Sequence, residues 1–349
     1  MEKLDFSESN ISHIITHFVG NRGKAQSLRL SSGLTFVPVS AEEFLHRYLF
    51  SAVKMEEYFE FSHKEDLQMN EAYSIVNEMF VDRSTFVDDS SNLAKLLYEA
   101  SVHPQILEGE LTVAYIQNVK IGEQYVDAVG MFKSEQESSF LKFNHKESHY
   151  EVSVDFGYDT GKVDKSCIVF NIHGEEGYEV LITDHRSKGE DARFWKDTFL
   201  GLKPMENNFY QTKVAMHMAK NFIDSPITQE LELDISDQME LLNKSADYFR
   251  TNESFDKGSF EEAVLNKENL VEGYRAFEET FANEHQVEVP INFDISRPAV
   301  KKTSKIFRSI LKLDKNFSVY IHGDRSRAER GEDEKGTYYK FYYDVDRQE

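Results

Sequence analysis

The 349-residue chain is acidic, with a net charge of −22 at pH 7, so it repels polyanions at long range and any nucleic-acid role must rest on a local basic patch. Its residues are 40% apolar and 13% aromatic, enough for a substantial core, yet no apolar run reaches the roughly 18 residues of a membrane span. A single cysteine, Cys167, excludes an intramolecular disulfide framework and a cysteine-only metal site.

The acidic start Met1-Glu2-Lys3-Leu4-Asp5 lacks the basic-then-apolar pattern of a signal peptide, so a reducing, cytoplasmic setting is expected. Asn10–Val19 reads as a strand, with a turn at Gly20-Asn21-Arg22-Gly23. Ser40 with Glu43 has the spacing of a capping box, and Phe44, Tyr48, Leu49 and Ala52 then recur at helical spacing. Helices are predicted over 70–81 and 91–102, the second stopped by His103-Pro104.

Five apolar runs follow: Leu111–Gln117, Gln124–Lys133, Ser139–Phe143, Cys167–His173 and Tyr178–Asp184. Their β-branched and aromatic content and short connections predict an antiparallel meander. One face should be covered by the flanking helices. The polar stretch 144–163 reads either as a long hairpin or as a flexible loop. Beyond it, helices are predicted over 189–202, carrying Trp195, and over 208–222.

Asp224-Ser225-Pro226 is the expected boundary, giving an N-terminal α+β domain at 1–222 and a C-terminal domain at 223–349. The second would be smaller and mostly helical, with acidic amphipathic helices at 236–250, 259–265 and 268–282. A basic helix over Arg297–Leu313 and strands at 317–322 and 338–344 would close it as a terminal hairpin. The fold class is thus α+β, a central antiparallel sheet flanked by helices and followed by that second domain.

No Walker loop, G-x-G-x-x-G, H-E-x-x-H or G-x-S-x-G is present, and no cofactor or catalytic residue is assigned. His13/His17 and His145/His149 sit four apart, but the first pair lies in a predicted strand and the second in a polar loop without a third ligand, so no metal site is assigned. Asp155-Phe156-Gly157 echoes a kinase tripeptide without the accompanying loops. A hydrolase built on scattered Asp and His is a third-ranked reading that no spacing favours.

The departure from background lies near the C-terminus. Residues 297–330 carry a net charge of +7, leaving −29 on the remainder. On a helix, Arg297, Lys301, Lys305, Arg308 and Lys312 would fall within about 80° of one another, with Val300, Phe307, Ile310 and Leu311 opposite. This stripe, with Lys302, is the candidate DNA-phosphate surface. The competing reading docks the same cations on acidic neighbours within the chain, such as the helices at 236–282.

Several strings carry a resemblance over nearly the whole chain: Ile15-Thr16-His17-Phe18-Val19-Gly20-Asn21, Ser101-Val102-His103-Pro104, Asp127-Ala128-Val129-Gly130-Met131-Phe132-Lys133-Ser134, Phe194-Trp195-Lys196-Asp197, and Phe209-Tyr210-Gln211-Thr212-Lys213. The longest runs lie at the end: Ala299-Val300-Lys301-Lys302, Leu311-Lys312-Leu313-Asp314-Lys315-Asn316-Phe317, and Tyr320-Ile321-His322-Gly323. As a set they resemble the bacterial 37-kilodalton nucleoid-associated protein family, in its Bacteroidetes-like version. The resemblance implies a non-enzymatic protein on the cytoplasmic nucleoid that associates with DNA, directly or through a nucleoid protein. It supplies no site residues. The acidic character leaves room for an interaction protein or DNA mimic acting through a DNA-bound partner. The aromatic stretch Tyr338–Tyr343 offers a strand edge to a second copy, a homodimer.

Overall fold

The computed structural model describes residues 4–50, 53, 57–161, 163–184, 193–231, 233, 235–307, 310–312, 318–320, 328–333 and 336–342. The chain divides into two compact units, 1–205 and 206–349. This division precedes the helix that begins at Asn208, whereas the boundary expected from Asp224-Ser225-Pro226 follows it. The physical reason is packing: Val214, Met218 and Phe222 of that helix lie in the second unit's core.

In chain order the first unit contains β1 (Leu4–Asp5), β2 (Asn10–Val19), β3 (Leu28–Arg29), α1 (Val39–Phe50), β4 (Tyr58–Phe61), α2 (Glu71–Val81) and α3 (Phe86–Ala100). Next come β5 (Gly109–Ile121), β6 (Gln124–Ser134), β7 (Ser138–Lys146), β8 (His149–Gly157), β9 (Lys165–Phe170), β10 (Glu179–Asp184) and β11 (Leu202–Pro204). A nine-stranded sheet runs β11-β4-β10-β9-β6-β5-β2-β3, with β1 also on β5, and every pairing is antiparallel. The two-residue turn Gly122-Glu123, with Gly122 at φ 60°, joins β5 to β6.

Both faces of this sheet are covered, which corrects the expectation of one. Leu111, Val113 and Tyr115 of β5 face α2, α3 and Trp195, while Ala114 and Ile116 face the α1 side with Leu49. Burial on both sides explains why these strands read as continuous apolar runs rather than as an alternation. Asn70 organises one end of that packing. Its side-chain oxygen accepts from Tyr73 N at 3.0 Å as the cap of α2, and its Nδ2 donates to the carbonyls of Ser62 and Leu200 at 3.0 and 2.9 Å.

Three local readings change. Helix α1 starts at Val39, so Ser40 lies inside it rather than capping it. The run at 139–143 does not join the meander; as part of β7 it pairs with β8 in a separate two-stranded hairpin. The helix expected over 189–202 is the wide turn Phe194–Phe199 among the described residues, and Leu202 belongs to β11.

The second unit contains α4 (Asn208–Asp224), α5 (Ile235–Thr251), β12 (Ser254–Asp256), α6 (Glu268–His285), β13 (Asn292–Asp294) and α7 (Arg297–Thr303). Phe222, Phe249, Phe255, Phe260, Tyr274 and Phe277 form its aromatic centre. Four short strands end it: β14 (Ile310–Lys312) pairs with β15 (Ser318–Tyr320), and β16 (Ala328–Asp333) with β17 (Gly336–Phe341). The single terminal hairpin expected from 317–322 and 338–344 is therefore two hairpins. The segment 328–333, which lies between those two predicted strands, is itself a strand.

Candidate nucleic-acid interface

Residues 295–313 contain six cations and no carboxylate, in a chain with 62 Asp and Glu. Ser296 starts the segment: its side chain caps α7 through Ala299 N, and its own N–H donates to Thr212 Oγ1 of α4 at 2.9 Å. Pro298 in the first turn lacks the N–H that a helix start leaves unpaired anyway. Ala299, Val300 and Thr303 are buried against the second core, and Phe307 follows them at the end of a 3-10 turn over Ser304–Phe307.

That burial turns Lys301, Lys302 and Lys305 outward, and all three are exposed. Among the described residues, Lys301 and Lys305 form no ion pair with a carboxylate. Lys302 lies with its ammonium 5.6 Å from the centre of the Phe209 ring. Arg297 has a different position. Its guanidinium donates to the carbonyls of Phe249 and Arg250, at 3.3 and 2.6 Å, at the C-terminal end of α5, where a cation also offsets the helix dipole.

The predicted five-cation stripe on one long helix is corrected here. The α-helix lasts seven residues, Arg297–Thr303, and gives way to the 3-10 turn. Lys312 stands on β14, opposite Ser318, so helical angles do not relate it to Lys301. Arg308 lies outside the described residues. Lys301 and Lys302 thus stand on α7 and Lys305 on the 3-10 turn that follows it, Arg297 is engaged with α5, and Lys312 belongs to another element.

The remaining sequence candidates carry ordinary structural roles. His17 is buried in β2, its Nε2 at 3.1 Å from Ser90 Oγ, while its Nδ1 accepts from Ser31 N at 3.1 Å. Burial pushes its pKa down. Cys167 is fully buried in β9, and burial raises its thiol pKa far above the usual range. Among the described residues no group of three His, Cys, Asp or Glu converges as a metal site. No helix among them is long and apolar enough to cross a membrane. His145 and His149 lie on the β7–β8 hairpin.

Arg297's engagement with α5 leaves only a weak trace in the sequence, a cation near a helix end. The partner carbonyls belong to residues 249 and 250, far away in sequence.

Among curated proteins, none matches this sequence. The family model described as nucleoid-associated protein YejK matches residues 15–339, which runs from within β2 through the rest of the sheet, the aromatic second core and the carboxylate-free basic segment, and the chain belongs to that family.

Proposed function

We propose that this nucleoid-associated protein is non-enzymatic and binds DNA directly through phosphate contacts made by Lys301, Lys302 and Lys305, extended by Arg308 and Lys312, with Arg297 anchoring the segment. The observation that carries the reading is the carboxylate-free basic stretch in a chain of charge −22. Its described lysines are exposed at α7 and the following turn. Such a surface neutralises phosphates without reading base edges, so the reading implies sequence-independent, salt-sensitive binding.

A short duplex titrated with the full chain at several salt concentrations tests it. Affinity should fall steeply with salt, and Lys301→Glu/Lys305→Glu should abolish binding while leaving the thermal unfolding curve in place. Binding that survives this double substitution sinks the assignment.

One second reading is favoured by the acidity itself. Glu268, Glu272 and Glu279 are exposed on α6 and could engage a basic protein already on DNA. It requires no affinity for free duplex and a salt-sensitive complex with a basic nucleoid protein.

A further inference from the structure

Hairpin β7–β8 is an amphipathic element whose apolar side nothing among the described residues covers. Opposed residues of an antiparallel pair share a face, and successive residues alternate faces. The register pairs Leu141 with Val154, Phe143 with Val152, His145 with Tyr150 and Ser139 with Phe156, which gathers six large apolar side chains on one side. The other side carries Lys142, Asn144, Lys146, Glu151, Ser153 and Asp155, with Phe140 at its base. Leu141, Phe143, Tyr150, Val152, Val154 and Phe156 are 57–66% exposed. Among the described residues no third strand joins either edge.

A two-stranded hairpin with no packed face is only marginally stable in water, and apolar patches above a few hundred Å² mark interaction surfaces. The polarity of the two faces orders the hairpin for burial on one side only. We propose that this face is a self-association surface, and that its occupant is the same face of a second copy of the chain, related by a two-fold axis.

Three observations select that partner. The face bears no carboxylate and no ammonium, so two copies meet without like charges in contact, as a self-complementary two-fold interface requires. Residues 138–157 hold two lysines against three carboxylates, so the local charge of −1 does not transmit the repulsion of a −22 chain. The six side chains expose on the order of 600 Å² per copy, so pairing buries about 1,200 Å² in total, the lower bound of a standard specific interface. Glu135, Glu137, Glu147, Glu151, Asp155 and Asp159 on and around the hairpin disfavour a phosphate-bearing partner such as nucleic acid or an anionic membrane. The surface is independent of the DNA reading and distinct from the strand edge at 338–343.

Sedimentation equilibrium of the full chain tests the proposal. A dimer is expected for the natural sequence, and a monomer with an unchanged thermal unfolding curve for Phe143→Glu/Val152→Glu. Val154→Cys should give a covalent dimer with a short bismaleimide, whereas Asp155→Cys, on the opposite face, should give little. Cys167 stays silent because it is buried. A natural chain that is monomeric at its highest soluble concentration overturns the proposal. So does a double variant that remains dimeric, or equal cross-linking at 154 and 155. A monomer that sediments with phosphatidylcholine vesicles through these residues would replace self-association with lipid binding.

Discussion

Lys133 and Lys165 stand directly opposite each other across β6 and β9, and their buried ammonium groups share the carboxylate of Glu135, at 2.9 and 3.8 Å. Like charges so placed repel. The shared carboxylate, the Leu107 carbonyl on Lys133 and Asp184 on Lys165 offset that repulsion. Glu135 also donates its backbone N–H to Asp164 at 2.7 Å, at the foot of the β7–β8 hairpin. Removing one member of a buried ionic group leaves the others uncompensated, so Glu135→Gln should lower unfolding free energy by about 3 kcal/mol. Urea unfolding measures it. A loss within experimental error would show that the lysines do not depend on this carboxylate.

His17 gives a pH dependence. Its Nδ1 accepts from Ser31 N, so the neutral ring carries its proton on Nε2, and protonating Nδ1 would oppose an N–H donor. Its folded pKa is lowered by burial, so the unfolded chain binds the proton more tightly. The stability contributed is therefore complete above the unfolded value near 6.5 and is lost as pH falls from there toward the folded pKa. This site can add at most about 1.4 kcal/mol per pH unit to that slope. Urea midpoints between pH 5 and 7 should fall less steeply for His17→Gln than for the natural chain.

Arg297 and Lys301 should separate structure from binding. Arg297→Ala removes a cation from the carbonyls ending α5 and should cost about 1 kcal/mol of stability. Lys301→Ala should stay within about 0.5 kcal/mol, yet reduce the logarithmic salt slope of DNA binding by about one. Equal stability losses would place Lys301 in the packing rather than at a phosphate.

Gly177 tests the turn between β9 and β10. It holds φ +113°, where an added Cβ would lie 2.4 Å from the Phe61 carbonyl oxygen, while its own carbonyl accepts from Phe61 N at 2.8 Å. Gly177→Ala combines backbone strain with a contact that neither backbone can relieve, so a loss of about 3 kcal/mol is expected by denaturant unfolding.

The sequence reading and the structure agree where one pattern meets one environment. Strand β2 has the predicted bounds at Asn10 and Val19, and Asn70 stands at the start of the second helix, as its cap. They differ where the deciding partner is remote. The two-sided burial of β5 depends on α1, which belongs to another part of the chain. Ile306, Phe307, Ile310 and Leu311 suit the apolar side of a helix, yet Ile310–Lys312 pairs with Ser318–Tyr320. For the candidate interface, the local charge pattern was legible and the geometry beyond Thr303 was not.

Sheet order also has a consequence for synthesis. β4 finds its neighbour in β10, with Phe59 opposite Val180, and its other neighbour in β11, with Phe61 opposite Leu202. On a ribosome making 5–20 residues per second, β4 therefore waits on the order of ten seconds for its first partner. Throughout that interval Tyr58, Phe59 and Phe61, all buried at the end, have nothing to pair with. The first unit should consequently fold late, after residue 204 has emerged, and this early aromatic strand is the segment a nascent-chain chaperone would have to shield.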